Sequence, residues 1–206
     1  MRQKIATSGL PVIGRLLRIV AEPPPPPFRM RDPDDPWTEL LTEARNGSAL
    51  RSSPLHGEAH WRAVAAIGFR LAEIRDGQAA DREFILAFAM LHDCRREDEA
   101  WDPEHGLRAA KMMKGSRAAA RIFGPAKMEH LVFAVMTHDI GLPDFENPDI
   151  GASWDADRYA LVRLDIRPDQ RYLSSRLPEK AHLEMIATAR RICAEPPSWE
   201  ELFWRI

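Results

Sequence analysis

Phe84-Ile85-Leu86-Ala87-Phe88-Ala89-Met90-Leu91 is apolar at every position and runs directly into His92-Asp93. Asp81 stands ahead of it as a start signal, so the segment from Asp81 to about Cys94 reads as a helix. A helix with no polar face has no side to turn to water and belongs at the centre of a bundle. The segments around it supply its neighbours. Pro36 is placed to open a helix that Asn46-Gly47 closes. A loop containing Ser52, Ser53 and Pro54 leads into a long helix from about Glu58 to Arg75, stopped by Asp76-Gly77. Further helical periodicity covers about 104–122, 126–138, 154–164 and 178–194. Trp199 to Ile206 reads as an amphipathic tail that docks on the bundle or on a second subunit, which leaves a homo-oligomer open. No segment combines strand alternation with turn signals. The expected fold is all-α, a single helical-bundle domain over residues 36–206.

The first 35 residues differ in kind. Pro23 to Pro27 is an unbroken proline run, with Pro33 and Pro36 close behind. Such a run cannot continue a helix and favours an extended polyproline conformation. Residues 1–35 therefore read as an N-terminal arm or leader, a spacer in preference to a ligand for an SH3-like partner. Leu10 to Val20 has the pattern of a small cationic amphipathic helix, although a mobile leader is the simpler reading.

Composition excludes several function classes. A chain of 206 residues with 45% hydrophobic and 29% charged residues suits one folded domain and not wholesale disorder. Its 29 basic and 31 acidic residues nearly cancel, so no broad electrostatic grip on nucleic acid is expected, and the scattered aromatics offer no stacking platform for bases. Cys94 and Cys193 cannot form a disulfide framework or a zinc ribbon. No apolar run approaches the roughly 18 residues that a transmembrane helix requires, and Arg15 and Arg18 interrupt the stretch that a signal peptide would need. The expectation is a cytoplasmic protein with no transmembrane segment.

Polar residues at core positions carry the chemistry. His60 lies on a line with Val64, Ile67, Leu71 and Ile74, which puts its imidazole at the end of a core-facing stripe. His92-Asp93 ends the all-apolar helix, where an ionised carboxylate without a partner costs several kcal/mol. A metal ion beside Asp93 removes that penalty; capping of the helix end, or pairing with Arg95 or Arg96, removes it equally well. His105 follows the helix-start sequence Asp102-Pro103-Glu104 and lines up with Ala109, Met112 and Ser116. His138 shares a face with Leu131 and Ala134, and Asp139 follows it. In Trp154-Asp155-Ala156-Asp157-Arg158 the two aspartates lie about 200° apart on a regular helix. Asp157, on the face of Ala160, Leu161 and Leu164, is the candidate ligand. Asp155, taken to be in the first turn, is the candidate cap or supporting partner. Cys94 reads as packing and not as a nucleophile. Trp61, Trp101 and Trp154 each adjoin a motif, and pocket wall and core packing explain them equally well.

The ordered strings His56-Gly57-Glu58-Ala59-His60-Trp61, Leu91-His92-Asp93, Pro103-Glu104-His105-Gly106 and Trp154-Asp155-Ala156-Asp157-Arg158 resemble a bacterial group within the HD-domain superfamily of metal-dependent phosphohydrolases. The resemblance covers roughly residues 53–166. It implies an all-helical domain with a divalent metal held by His60, His92, Asp93 and Asp157. Two-metal subgroups add histidines, and His105 matches the first such position. At the next, Thr137-His138-Asp139 stands where a paired histidine is usual, so a second metal depends on His138 alone or on Asp139 acting as a substitute. His56 and Asp155 are further candidates for a second metal or for its support. The glycine-tyrosine-proline motif of cyclic-dinucleotide phosphodiesterases is absent, so that substrate is not assigned.

The ligand set sets the expected chemistry. Mn, Fe, Zn, Co, Ni and Mg are not distinguished by sequence. A metal-bound water of lowered pKa would attack phosphorus, Asp93 would act at the reaction centre, and His105 or His138, if not ligands, would protonate the leaving group. Arg95, Arg96, Lys111 and Arg158 are candidates for binding substrate phosphate, with solvated surface charge as the alternative for each. The expected function is hydrolysis of a small phosphorylated molecule such as a nucleotide. A ligand-binding sensor module without turnover and a di-iron oxygenase are the competing readings.

Overall fold

The computed structural model describes residues 34–74 and 80–206. The proline run, the Leu10–Val20 stretch, the arm up to residue 33 and the Asp76-Gly77 stop lie outside the described residues. Within them the chain is all-helical: α1 (Pro36–Asn46), α2 (Glu58–Ile74), α3 (Arg82–Leu91), α4 (His105–Met113), α5 (Arg117–Ile122), α6 (Pro125–Thr137), α7 (Pro148–Ala160), α8 (Glu179–Ala194) and α9 (Trp199–Phe203). Among the described residues no helix is long and apolar enough to cross a membrane.

The centre is the trio α2, α3 and α7, with α2 packed on both of the others. Every residue of α3 from Phe84 to Leu91 is buried, as a helix without a polar face requires. Gly68 permits the close approach. A Cβ there would sit 2.4 Å from Ile85 Cγ2 and 3.4 Å from Ala156 Cβ, so a side chain would push α2 off both partners. Around this trio, α1 packs on α5 and α3, α6 on α4, α3 and α7, and α8 on α2 and α7. The C-terminal tail docks on the bundle: α9 packs on α2, and the Trp199 indole donates to Glu58 at 2.6 Å.

Two boundaries depart from the sequence expectations. The expected 104–122 helix is broken into α4 and α5. The Lys114-Gly115-Ser116 turn separates them, and the Ser116 hydroxyl accepts from Ala119 N to start the second piece. The expected 154–164 helix begins earlier, at Pro148, because Asn147 caps the backbone of Asp149 and Ile150. It ends at Ala160, and Leu161–Leu164 tightens into a 3-10 turn closed by Asp165 in the left-handed region, φ 57°. Leu164 is exposed and is not part of the core face.

Candidate metal centre

His60 sits in the first turn of α2, His92 and Asp93 directly follow α3, and Asp157 lies in the last turn of α7. The packing of the central trio brings these distant positions together. His60 Nε2 is 3.2 Å from His92 Nε2 and 3.2 Å from Asp157 Oδ1. Asp93 Oδ2 is 3.6 Å from His60 Nε2 and 3.5 Å from His92 Nε2.

A second group stands on the other side of Asp93. Its Oδ1 is 3.3 Å from His105 Nε2 and 3.8 Å from His138 Nε2, and those two nitrogens are 3.0 Å apart. His105 opens α4 and His138 directly follows α6. Gly106 lets these helix ends meet: a Cβ there would lie 2.7 Å from the Val135 carbonyl and 2.9 Å from that of Met136.

Three of the four imidazoles are aimed by the same local device. His92 Nδ1 donates to the Ala89 carbonyl at 3.0 Å and His138 Nδ1 to the Val135 carbonyl at 2.8 Å. His105 Nδ1 donates to the Asp102 carbonyl. Each acceptor lies three residues back, and two belong to the last turn of a helix, where carbonyls lack intrahelical partners. A carbonyl only accepts, so the proton is on Nδ1 and Nε2 presents a lone pair. With both rings neutral, the lone pairs of His105 and His138 face each other at 3.0 Å beside a carboxylate, an arrangement that a cation or a proton on His138 relieves. The Oδ1 atom of Asp93 and the Nδ1 atom of His60 are buried, with no hydrogen-bond partner among the described residues.

This donor set fits cations. Two ligands each ~2.1 Å from one ion lie ~3.0 Å apart at a right angle and ~3.4 Å apart at the tetrahedral angle. The contacts in both groups span 3.0 to 3.8 Å. His60, His92 and Asp157 form one set able to hold a metal, and Asp93, His105 and His138 form another.

Burial pushes the His92 imidazole down to about 3 and lowers His60 and His105 as well, which keeps their nitrogens free to ligate. Burial alone would raise the Asp93 and Asp157 carboxyls. The surrounding imidazoles outweigh it and hold both well below the usual range. His138 moves the other way: burial opposes the proton, but the adjacent Asp93 carboxylate prevails and raises it.

The remaining candidates separate by where their side chains go. Asp139 is exposed and does not substitute for a ligand. Asp155 is not in the first turn and does not act on a helix dipole. It lies inside α7 and accepts from Ser174 N and Ser175 N, both at 2.7 Å, pinning that segment to the helix. His56 is half-buried and bonds Glu99 at 2.6 Å, with its ring 6.3 Å from that of His60. Arg95 turns away from the centre and donates to the Glu43 and Ala44 carbonyls in the last turn of α1. Arg158 likewise donates to the Tyr172 and Leu142 carbonyls, and Lys111 is exposed on α4. Of the four basic candidates, Arg96 faces the second group, with Nη1 3.5 Å from His105 Nε2 and 3.6 Å from Asp93 Oδ1. The Cys94 thiol is buried and pushed up to about 12, which suits inert packing.

Two contributors carried no sequence signal as site residues. Asp102 acts through its backbone carbonyl on His105 and through its carboxylate on Arg108. Arg163, anchored on the Leu55 and Ala160 carbonyls, adds a positive field that helps keep His60 neutral. The chain has no match among family models, curated proteins or solved structures.

Proposed function

We propose that the chain is a metal-dependent phosphohydrolase of the HD type that cleaves a phosphoester of a small phosphorylated molecule at a two-ion centre. The observation that supports it best is the Asp93 carboxylate, buried between two groups of ligands with one oxygen toward each. His60, His92, Asp93 and Asp157 would hold one ion; Asp93, His105 and His138 would hold the other. Bound divalent ions supply a water of lowered pKa and polarise a phosphoryl oxygen.

The chain's own groups supply the rest. The Nδ1–H anchors on three backbone carbonyls fix the ligand rings before any substrate arrives. With their Nε2 atoms directed at a metal, His105 and His138 are ligands in this reading and not proton donors to the leaving group. Arg96 is the phosphate clamp. Its Nε donates to Asp98 O at 3.0 Å and its Nη2 to Ala100 O at 3.4 Å, which holds the guanidinium over the second group. Mn, Fe, Zn, Co and Ni suit this nitrogen-rich set better than Mg, which prefers oxygen ligands.

The test is metal analysis of the purified protein, followed by a phosphoester panel with added Mn²⁺. Metal-stimulated release of phosphate that disappears in Asp93→Ala is the expected result. Undiminished hydrolysis by Asp93→Ala overturns the reading. The same set also accommodates iron, so two irons per chain with oxygen uptake and no phosphate release would point to an oxygenase instead. Tight nucleotide binding without turnover would point to a sensor module.

A further inference from the structure

Five large apolar side chains stand exposed on α6 and the loop that follows it: Phe133, Met136, Ile140, Leu142 and Phe145. Single exposed apolar residues are ordinary, but these are joined by contacts. Phe133 and Met136 share one face of α6, three residues apart, and Ile140 N closes the next turn on the Thr137 carbonyl at 3.3 Å. The Phe133 ring rests on Trp154, with centroids 6.0 Å apart. Arg158 lies over Trp154 at 5.7 Å and donates to the Leu142 carbonyl at 2.7 Å, which ties Leu142 to that end of α6. Arg158 also donates to the Tyr172 carbonyl at 2.6 Å, and Asp144 N donates to Ser174 Oγ at 3.0 Å. Arg176 Cζ lies 3.7 Å from the Phe145 ring centroid. The loop is thus sewn down, and its apolar side chains are displayed on a fixed backbone.

The charge at the rim of this surface is mainly negative, with Arg176 on Phe145 as the exception. From residue 128 to residue 157 the chain has seven acidic residues and no lysine or arginine. Glu129, one turn before Phe133, Asp139 beside Ile140 and Glu146 beside Phe145 are exposed and form no ion pair among the described residues. An apolar patch rimmed by unpaired carboxylates suits a basic amphipathic helix.

The sequence of this chain contains that pattern. Residues 1–33 carry six basic and two acidic residues. Within them Leu10, Ile13, Leu17 and Val20 recur at steps of three and four, with Arg15 and Arg18 off their face. The segment is also within reach. The Asp34 carbonyl accepts from Arg121 Nη2 at 2.7 Å, so the described chain begins beside the end of α5, four residues before Pro125 opens α6. From there Phe133 lies about 12 Å along the α6 axis. The thirteen residues from 21 to 33, five of them consecutive prolines, can span up to about 40 Å when extended.

We propose that Leu10–Val20 docks in cis on the α6 surface, with its apolar face on Phe133, Met136, Ile140, Leu142 and Phe145 and its arginines at the carboxylate rim. Docking involves no metal and no turnover, so it stands or falls apart from the phosphohydrolase reading.

Hydrogen exchange on the full metal-free chain tests it. Amides of residues 10–20 should exchange roughly tenfold more slowly in the wild type than in Ile13→Asp/Leu17→Asp. Met136→Asp/Leu142→Asp should lose the same protection, and about 0.5 M salt should reduce it in the wild type. Slow exchange of Phe84–Leu91 in each variant shows that the fold is intact. A variant that loses it is replaced by Glu129→Lys/Glu146→Lys, which leaves the apolar surface whole and should weaken the protection through charge alone. Equal exchange of residues 10–20 in all these chains overturns the proposal. Protection that grows with protein concentration also overturns it, in favour of docking between copies. So does protection that appears only with phosphatidylserine vesicles, which would give the segment to a lipid surface.

Discussion

The two ligand groups meet at Asp93 but are built in different ways. His60, His92 and Asp157 come from α2, the end of α3 and α7, the trio that forms the core. Their convergence follows from burying Phe84–Leu91 and from the close approach at Gly68. His105 and His138 come from the start of α4 and the end of α6, joined through Gly106 and aimed by one loop carbonyl and one helix-end carbonyl. The first group is thus held by the same packing that holds the fold. The second rests on the α4–α6 pair outside that trio, so its ligands can be changed while the core stands.

That contrast is open to attack by substitution. Asp93→Ala serves both groups at once and should reduce metal-stimulated hydrolysis on the order of 10³-fold or more, read as initial rate. His138→Ala removes one ligand of the second group only. It should lower the rate by about 10²-fold while leaving thermal unfolding of the metal-free chain within about 1–2 kcal/mol of wild type; a collapse of stability equal to that of a core substitution would erase the distinction. Gly106→Ala adds a methyl against two backbone carbonyls that cannot rotate away. It should cost about 1–3 kcal/mol in denaturant unfolding and weaken the second ion more than the first.

Acid should separate the groups without any substitution. His60, His92 and His105 are lowered by burial, so protons do not reach them near neutrality. His138 is raised above its ordinary 6.5 by Asp93 despite burial. A proton and an ion compete for the same Nε2 lone pair, so falling pH should expel the second ion first. In the metal-free chain the sign reverses. Charged His138 beside Asp93 adds stability below its ordinary value, and that stability is lost as pH rises through the raised value. Metal retention followed across a pH series checks the order, and simultaneous release of both ions would break it.

Legibility in the sequence follows the same division. The all-apolar stretch ending in His92-Asp93 placed α3 at the centre, and the His60 stripe pointed inward, because core-facing periodicity is written in the chain. The face expected for Asp157 is not the core face: Leu161 is half-buried and Leu164 exposed, while Asp155, Tyr159 and Val162 are buried. The second group was legible only in part. His105 followed a helix-start pattern, but the choice between His138 and Asp139 turned on where α6 ends, which periodicity does not fix. Asn147-Pro148 starts α7 ahead of the segment that periodicity marks, and this moves Asp155 out of the first turn. Arg95 and Arg158 adjoin the motifs in sequence yet turn to backbone carbonyls elsewhere; proximity along a helix does not give direction. Trp61 and Trp101 looked alike beside their motifs, and only the packing separates a core indole from a displayed one.

The central claim is that one buried carboxylate joins two cation sites. Elemental analysis of the metal-loaded chain tests it by counting. Two ions per chain in the wild type and one in His138→Ala is the predicted result; one ion in both, or none in either, would contradict it.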